Sequence, residues 1–480
     1  MPALGFLFLV AIATRAWDFG NPVVHVDEQF YLLVGDRLLH GSLPYVDLFD
    51  RKPFGLFALY AAIRTLPGNG ILAYQLAATA FALGTAWVVR RASLKIGATE
   101  FGALAAATAY LIWLPLLGGR GGQAPVFYNL PIAAAASLTL DLPRLAAAKV
   151  RKHIVVRGAA VCLLCGLAIQ IKYTAVFEGI WFGLVHLFYL DRAGSSRART
   201  ALSAAGWIGI ALAPTLAIAL YYRSVGPVAF EAFAYANFGS IFARPGYAVQ
   251  EWVMRLLGIL AELSPLLVSA GVTIGWRMRD RKWQPQEQIA VGWLLSAVAG
   301  FVAIGTFFDH YALPLVTPLA IVAALTLSRS SRALVGTLGL GLALCVIERS
   351  LVPSDGPGAR EVAAVVRANS RGECPYVFMG DTITYYLAES CLPTRWAFPN
   401  FLAYSTEEGA AGVDAPVEVR RILAQRPPVI VASTRKLAIW NQLSVDALRE
   451  GLRGYRPVLS VKRSNYRTVV FLRNDLPLKD

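Results

Sequence analysis

Charged residues are scarce in this 480-residue sequence: they make up 16% of it, whereas hydrophobic residues make up 56%. The mean hydropathy of +0.52 is higher than a soluble domain carries. A soluble protein is therefore excluded, and the composition indicates an integral membrane protein. The formal net charge of +15 would suggest nucleic acid in a soluble chain, but here it reflects Lys and Arg in the loops between apolar segments. No nucleic-acid partner is expected.

Lysine and arginine are also missing ahead of the first apolar segment, which favours an uncleaved first span over a signal peptide. Apolar segments near the ~20 residues that a helix needs to cross a bilayer recur along the first three quarters of the chain. They predict an α-helical polytopic membrane protein with about eleven transmembrane helices, at 2–18, 70–89, 100–117, 125–142, 154–171, 174–190, 201–221, 254–275, 288–307, 311–327 and 332–349.

The segment 54–66 is apolar but short, and its assignment decides the topology. If it lies in the membrane interface, sixteen Lys and Arg residues fall in the loops on one side of the membrane, whereas the short connections on the other side hold four. Positively charged loops stay in the cytoplasm, so this arrangement is favoured. We therefore expect a cytoplasmic N-terminus and an external first loop at 19–69.

The character of the sequence changes after Leu351, where mixed charges and short alternating patterns replace apolar runs. The prediction is a transmembrane domain at 1–352 and a small soluble extracytoplasmic α/β domain at 353–480. Its expected helices are 359–369, 381–388, 416–425 and 444–453, and its expected strands are 375–379, 428–432, 457–461 and 467–472.

Cysteine is rare, with five in the chain. Cys374 and Cys391 lie in the predicted extracytoplasmic domain, where an oxidising compartment would allow a disulfide between them. Cys162 and Cys165 share one apolar helix with no second ligand pair, so we interpret them as packing residues.

The first external loop contains the chemically informative residues. Its charged candidates are Asp27, Glu28, Asp47, Asp50, Arg51 and Lys52. Carboxylates are costly where the chain leaves a bilayer, and a carboxylate can take a proton from a hydroxyl while Lys and Arg neutralise a departing phosphate. The structural alternative is that Asp27 caps an interfacial helix, Glu28 favours its dipole, and the two cations extend to lipid headgroups.

This loop resembles that of the GT-C glycosyltransferases, which use polyprenyl-phosphate sugars and include protein O-mannosyltransferases and the bacterial aminoarabinose transferase acting on lipid A. The similarity is carried by Asp27-Glu28, by Lys52-Pro53 and by the segment 54–66. Gly166–Lys172 and Tyr311–Pro318 are also similar to that family. The family usually has Lys-Pro-Pro and often an acid before the lysine, whereas this chain has Phe54 and Arg51 at those places.

The resemblance implies a glycosyltransferase of the bacterial cytoplasmic membrane that moves one hexosyl or pentosyl group from a polyprenyl-phosphate donor to an extracytoplasmic glycan, lipid or protein, with inversion. Asp27 would be the base, with Glu28 as the second candidate for that role. Lys52 would bind the donor phosphate, with Arg51, Lys172, Arg244 and Arg120 as further phosphate candidates. Asp47, Asp50, Tyr45, His310 and Tyr311 would contact the acceptor or sugar.

Several alternatives remain open from sequence. Lys172 could equally extend to lipid headgroups, His310 could mark the aqueous boundary, and Arg120 lies in a glycine-rich loop. A lipid-linked-sugar flippase or a non-catalytic polysaccharide-assembly component would have similar spans, although no pair of Gly/Pro-broken helices appears in matching halves. The four acids of the loop could hold a divalent cation, yet they follow no dedicated ligand pattern.

Overall fold

The computed structural model describes residues 2–352 and 354–479, and most of them are helical. Pro353, at the predicted domain boundary, lies outside the described residues, as do Met1 and Asp480. The helices are α1 (Pro2–Arg15), α2 (Val26–Leu39), α3 (Phe54–Arg64), α4 (Gly70–Lys95), α5 (Glu100–Leu116), α6 (Ala124–Thr139), α7 (Leu142–Ala147), α8 (Arg151–Ile169), α9 (Ala175–Arg192), α10 (Arg197–Val225), α11 (Pro227–Ala234), α12 (Val249–Asp280), α13 (Pro285–Ile304), α14 (Leu313–Leu327), α15 (Ser331–Leu351), α16 (Gly356–Asn369), α17 (Ile383–Leu387), α18 (Asn400–Ala403), α19 (Ala415–Ala424) and α20 (Gln442–Gly451).

Each of the eleven segments predicted to span the membrane is a helix. Among the described residues, seven helical segments are long and apolar enough to cross a bilayer: α4, α6 with α7, α8, α10, α12, α13 and the segment that begins with α15. The helices α5 and α14 are apolar but shorter, with 17 and 15 residues. The chain is a multi-pass membrane protein.

Segment 54–66 forms α3, a helix of 11 residues. At 1.5 Å per residue it extends roughly 16 Å, about half of the hydrocarbon thickness of a bilayer. This length agrees with the interfacial assignment on which the predicted topology rests.

The chain divides into two compact units. The first unit comprises residues 1–19, 75–218 and 248–352. Its helices pack in neighbouring pairs, among them α5 with α14, α6 with α8, α8 with α9, and α12 with α14. Alanine is frequent at the buried positions of α5, where Ala103, Ala106, Ala107 and Ala109 are fully buried, and such small residues let helices approach closely in a membrane.

The second unit comprises residues 20–74, 219–247 and 353–480, so the first loop and the C-terminal segment belong to one compact body. Its four-stranded sheet has the order β1-β2-β4-β3. The strands are β1 (Tyr376–Val377), β2 (Val429–Ser433), β3 (Tyr455–Lys462) and β4 (Arg467–Arg473), with β1 parallel to β2 and the other pairs antiparallel. Each strand and helix predicted beyond residue 358 is found, with shifted ends, and α18 is an additional short helix.

The core of the C-terminal segment lies between one face of this sheet and α19 and α20. It contains Val419, Ile422, Ile430 and Leu448, all buried. Cys374 and Cys391 form a disulfide that closes the segment containing β1 and α17. In the first unit, Cys162 and Cys165 are buried thiols on α8.

Candidate functional site

The first acidic candidates lie on the first turn of α2. His25 is the N-cap residue of this helix, and its Nδ1 accepts a hydrogen bond of 3.2 Å from the backbone N–H of Asp27. The capping role that would have explained Asp27 structurally therefore belongs to His25. Asp27 is half-buried, whereas Glu28 beside it is fully buried. Of the two, Asp27 is the carboxylate that can meet a substrate.

A tight turn presents the cationic candidates. The Oδ1 atom of Asp50 accepts hydrogen bonds from the backbone N–H groups of Arg51 and Lys52. Pro53 follows in the extended conformation and serves as the N-cap position of α3, so this turn ends where the helix starts. Asp50 therefore fixes the backbone from which the Lys52 side chain projects, a positioning task that does not require contact with the sugar.

Electrostatics connects Asp27, Asp50 and Lys52. Burial raises the pKa of Asp50 above its ordinary value; the nearby Lys52 ammonium lowers it, and the negative charge of Asp27 raises it further. Asp50 thus interacts with both the proposed base and the proposed phosphate-binding cation. The three side chains belong to one polar cluster of the second unit.

Two tyrosines lie beside this cluster. The Nζ atom of Lys52 lies 5.6 Å from the ring centroid of Tyr31, a cation–π contact. Tyr60 of α3 is buried, and its pKa is well above the ordinary value, chiefly because of burial and then because of Glu28. The sequence did not indicate Tyr60. A single tyrosine on the apolar face of a short helix gives no sign that acidic side chains lie near it in the fold.

Tyr45, expected to contact the sugar, instead occupies the core of this unit. It is fully buried, and its ring packs against Phe57, Tyr222 and Phe233. Its hydroxyl donates a hydrogen bond of 2.8 Å to the carbonyl oxygen of Lys52. This geometry corrects the expected role: Tyr45 supports the backbone of the cationic turn, and its faces are covered by other rings.

Asp47 also has a local structural contact. Its Oδ2 accepts a hydrogen bond of 2.6 Å from the backbone N–H of Leu43, within the turn that leads to Asp50. The side chain is otherwise exposed. A contact between Asp47 and an acceptor stays a prediction.

Arg51 and Arg244 meet at a residue that the sequence did not indicate. Arg51 Nη1 lies 2.6 Å from one carboxylate oxygen of Glu407, and Arg244 Nη2 lies 2.8 Å from the other. Glu407 follows Arg51 by 356 positions, so no local pattern could have paired them. Both expected phosphate ligands are thus brought together, but around a carboxylate of the protein.

The C-terminal segment holds the first loop in place. The Oε1 atom of the buried Gln29 accepts a hydrogen bond of 3.3 Å from the backbone N–H of Ile383 at the start of α17. Phe49 donates its backbone N–H to the carbonyl of Arg395 at 2.9 Å. Because Gln29 follows Asp27 and Glu28 on the same helix, these contacts orient the acidic turn.

In the first unit, Lys172 lies over an aromatic ring rather than extending to solvent. Its Nζ atom is 4.1 Å from the ring centroid of Tyr311, and Lys172 is largely buried. The rings of His310 and Tyr311 are in contact, with centroids 4.5 Å apart. The structure therefore brings these three sequence candidates together.

Arg120 lies in a glycine-rich loop that is less free than its sequence suggested. The fully buried Arg15 donates hydrogen bonds to the carbonyl oxygens of Gly119 and Gly121, the second at 2.6 Å. Arg120 itself interacts electrostatically with Glu348. Arg15 was missed because it ends an apolar helix, where an arginine is ordinarily attributed to the membrane surface.

Within residues 2–352 and 354–479, no group of three or more His, Cys, Asp or Glu side chains is arranged to hold a metal ion. In particular, Asp50 turns its carboxylate toward the backbone of its own turn. The residues described do not fit a dedicated metal site, so the chemistry proposed below uses none. A bound divalent cation stays an untested prediction.

Comparisons with known proteins rest on structure alone. A scan against models of protein families finds no match, and a sequence search of curated proteins finds none. The fold is similar to that of ArnT from Cupriavidus metallidurans bound to undecaprenyl phosphate, with a TM-score of 0.59, 14% identity and 98% of each chain covered. The apo state of ArnT matches with a TM-score of 0.58 and 15% identity, again over 98% of each chain.

A second solved structure has a related fold. The archaeal oligosaccharyltransferase AglB from Archaeoglobus fulgidus, in complex with an inhibitory peptide and a dolichol-phosphate, matches with a TM-score of 0.54 and 10% identity over 99% of this chain and 74% of AglB. ArnT and AglB are GT-C glycosyltransferases. The resemblance predicted from the first loop is confirmed at the level of the fold.

Proposed function

We propose that this protein is a membrane glycosyltransferase that transfers one sugar from a polyprenyl-phosphate donor to an acceptor hydroxyl outside the cytoplasm. The observation that carries the proposal is the cluster of Asp27, Asp50 and Lys52, in which an accessible carboxylate and an ammonium group interact with the same buried acid. The fold shared with ArnT, whose structure contains undecaprenyl phosphate, supports the choice of donor.

The reaction follows from these groups. The acceptor hydroxyl oxygen attacks the anomeric carbon of the donor sugar, and its proton passes to the Asp27 carboxylate. The bond between the anomeric carbon and the phosphate oxygen breaks, and the polyprenyl phosphate leaves with an additional negative charge. Lys52 neutralises that charge. A single displacement of this kind inverts the configuration at the anomeric carbon.

The remaining groups position these two. His25 caps α2 by accepting a hydrogen bond from the backbone N–H of Asp27, so the Asp27 carboxylate is not the cap of this helix. Asp50 and Tyr45 bind the backbone of the Lys52 turn from two sides. Glu28 is buried behind Asp27 and serves as an orienting neighbour in this proposal.

The membrane setting follows the predicted topology. The reaction takes place at the external face of a bacterial cytoplasmic membrane, with the N-terminus in the cytoplasm and residues 353–480 outside. A donor with a prenyl chain would then stay in the bilayer while its phosphate reaches Lys52. The acceptor is a glycan, lipid or protein at that surface.

The decisive experiment incubates the purified protein with a panel of polyprenyl-phosphate hexoses and pentoses and measures release of polyprenyl phosphate. The wild type should release it from at least one donor, and Asp27→Asn should reduce the rate by about 10²–10⁴-fold, the usual contribution of a general base. Asp446→Asn, an exposed acid on α20, is the control and should retain the rate. Movement of an intact donor across vesicles without release would indicate a flippase instead.

A further inference from the structure

Glu407 is placed as an internal anion for two arginines that are expected to bind phosphate. One carboxylate oxygen accepts a hydrogen bond of 2.6 Å from Arg51, and the other forms an ion pair with the Arg244 guanidinium at 2.8 Å. The Glu407 side chain is only 6% exposed. Charge-assisted pairs of this kind are among the strongest hydrogen bonds in proteins, and guanidinium groups bind phosphates and carboxylates with the same geometry.

The surroundings of the pair reinforce its character as an anion site. Arg51 Nε donates a hydrogen bond of 3.2 Å to Ser240 Oγ, and the guanidinium lies over the rings of Phe49 and Phe401. Two positive charges therefore converge on the Glu407 carboxylate, while Ser240, whose hydroxyl donates to the carbonyl oxygen of Ala236, holds the Arg51 guanidinium in place. Without a negative group there, the two guanidinium groups would repel each other in a poorly solvated environment.

The loop that carries Arg244 has an anchored end and an exposed tip. It follows a π-helical turn at Tyr235–Gly239, and the Tyr235 hydroxyl is within hydrogen-bond distance of the carbonyls of Gly409 and Ala410. Beyond this anchor, Phe242 at the tip is 90% exposed. Such π-turns often occur at functional sites. The contacts of Tyr235 thus fix the start of this loop, and the ion pair between Arg244 and Glu407 holds the part beyond Phe242.

We infer that Glu407 competes with the donor phosphate for Arg51 and Arg244, so that donor binding exchanges two arginine–carboxylate pairs for arginine–phosphate pairs. The inference rests on the proposed function and adds a residue that sets donor affinity. Exchange is chemically balanced, because one anion replaces another and no covalent bond changes. It also makes the Arg244 loop responsive to the donor, since Arg244 leaves Glu407 when it turns to the phosphate.

The competing role and a purely structural role predict opposite results for Glu407→Gln. If Glu407 competes, the neutral amide binds the arginines less well, and the dissociation constant for undecaprenyl phosphate falls by about tenfold, equivalent to ~1.4 kcal/mol. If Glu407 merely holds the arginines in place for the donor, the same variant binds the lipid more weakly. A dissociation constant that is unchanged or higher in Glu407→Gln would overturn the inference.

The measurement is the binding of undecaprenyl phosphate to the full-length protein in detergent micelles. Intrinsic tryptophan fluorescence detects the binding. Glu418→Gln is the matched control, because Glu418 is also a buried carboxylate of the second unit and pairs with Arg421 at 2.6 Å. It should leave the dissociation constant unchanged. If Glu407→Gln fails to fold, Glu407→Asp weakens the same two pairs by shortening the side chain and should also tighten lipid binding.

A second readout requires no substitution. Cleavage by chymotrypsin after Phe242 should change in rate when undecaprenyl phosphate is added to the wild type, because Arg244 would exchange its partner; an unchanged rate contradicts the inference.

These assays need no turnover, so they separate the two proposals. A wild type that releases polyprenyl phosphate but shows no effect of Glu407→Gln upholds the function and rejects the competition, whereas tighter binding without any transfer does the reverse.

Discussion

Asp50 accepts a hydrogen bond of 3.1 Å from the backbone N–H of Lys52, so the buried acid holds the chain from which the adjacent cation projects. The pair also interacts through charge, and Lys52 lowers the pKa of Asp50 against the larger opposing effect of burial. Geometry and electrostatics at this turn are therefore coupled, and each can be tested separately.

Replacement of Lys52 tests its role at the donor phosphate. Lys52→Met keeps an unbranched side chain but removes the charge that lies over the Tyr31 ring, and we expect kcat/KM for the donor to fall on the order of 10²-fold, as for the loss of a charge-assisted contact made by a desolvated group. Lys52→Arg should recover part of this loss, because charge is restored with a different shape. Lys462→Met, an exposed lysine of β3, serves as the control. Equal activity in Lys52→Met and wild type would remove Lys52 from the mechanism.

The pH dependence of stability tests the environment of Asp50. Because the pKa of Asp50 is raised in the folded protein, its contribution to the free energy of unfolding is complete below its ordinary pKa and is lost as the pH rises through the raised value. Asp50→Asn keeps the acceptor for the two backbone N–H groups and removes this loss. The melting temperature of Asp50→Asn relative to wild type should therefore increase between pH 4 and pH 7.

Thermal unfolding in detergent measures this difference in melting temperature. Each kcal/mol of change in the free energy of unfolding shifts the melting temperature by about 2–4 °C. A difference that stays constant across the pH range would show that Asp50 titrates as an ordinary surface carboxylate. The sign is informative by itself, because an acid stabilised in its charged form by Lys52 alone would give the opposite trend.

Sequence reasoning was effective where a physical constraint acts locally. The hydrocarbon thickness of a bilayer fixes the length of an apolar helix, so the eleven hydrophobic segments could be located, and the short length of 54–66 could be recognised. In the same way, alternating patterns located β2 and β4 within one residue of their observed ends. The acids and cations of the first loop were also apparent, because charges are expensive at the edge of a membrane.

The arrangement of those charges was not predictable, because it depends on contacts between distant positions. Glu407 shares no local pattern with Arg51, and nothing in the neighbourhood of Tyr45 signals that its ring is enclosed by Tyr222 and Phe233. The structural alternative for Asp27, a capping role, fails for a different reason. Asp is far commoner than His at an N-cap, yet α2 begins at Val26 and its N-cap is His25, two residues before Asp27.

The contact between Gln29 and Ile383 predicts that the C-terminal segment supports the acidic turn. Gln29→Leu leaves the backbone N–H of Ile383 without its acceptor in a buried place, which costs about 1–3 kcal/mol. The melting temperature should fall, and kcat should fall with it because Asp27 lies on the same turn of α2. Gln442→Leu, at the exposed start of α20, is the control and should change neither. Reduced stability with unchanged kcat would limit Gln29 to a structural role.

Lys172 and Tyr311 provide the last prediction, which separates a phosphate contact from a lysine that only reaches the lipid surface. The Lys172 ammonium lies over the Tyr311 ring, and a cation–π contact depends on the ring rather than on its hydroxyl. Tyr311→Phe should therefore retain the donor KM, whereas Tyr311→Leu releases the ammonium and raises it. Lys172→Met should raise the donor KM by about tenfold if the ammonium contacts phosphate. Steady-state kinetics over a series of donor concentrations distinguishes these cases, and equal KM values for Lys172→Met and wild type would assign Lys172 to the membrane surface.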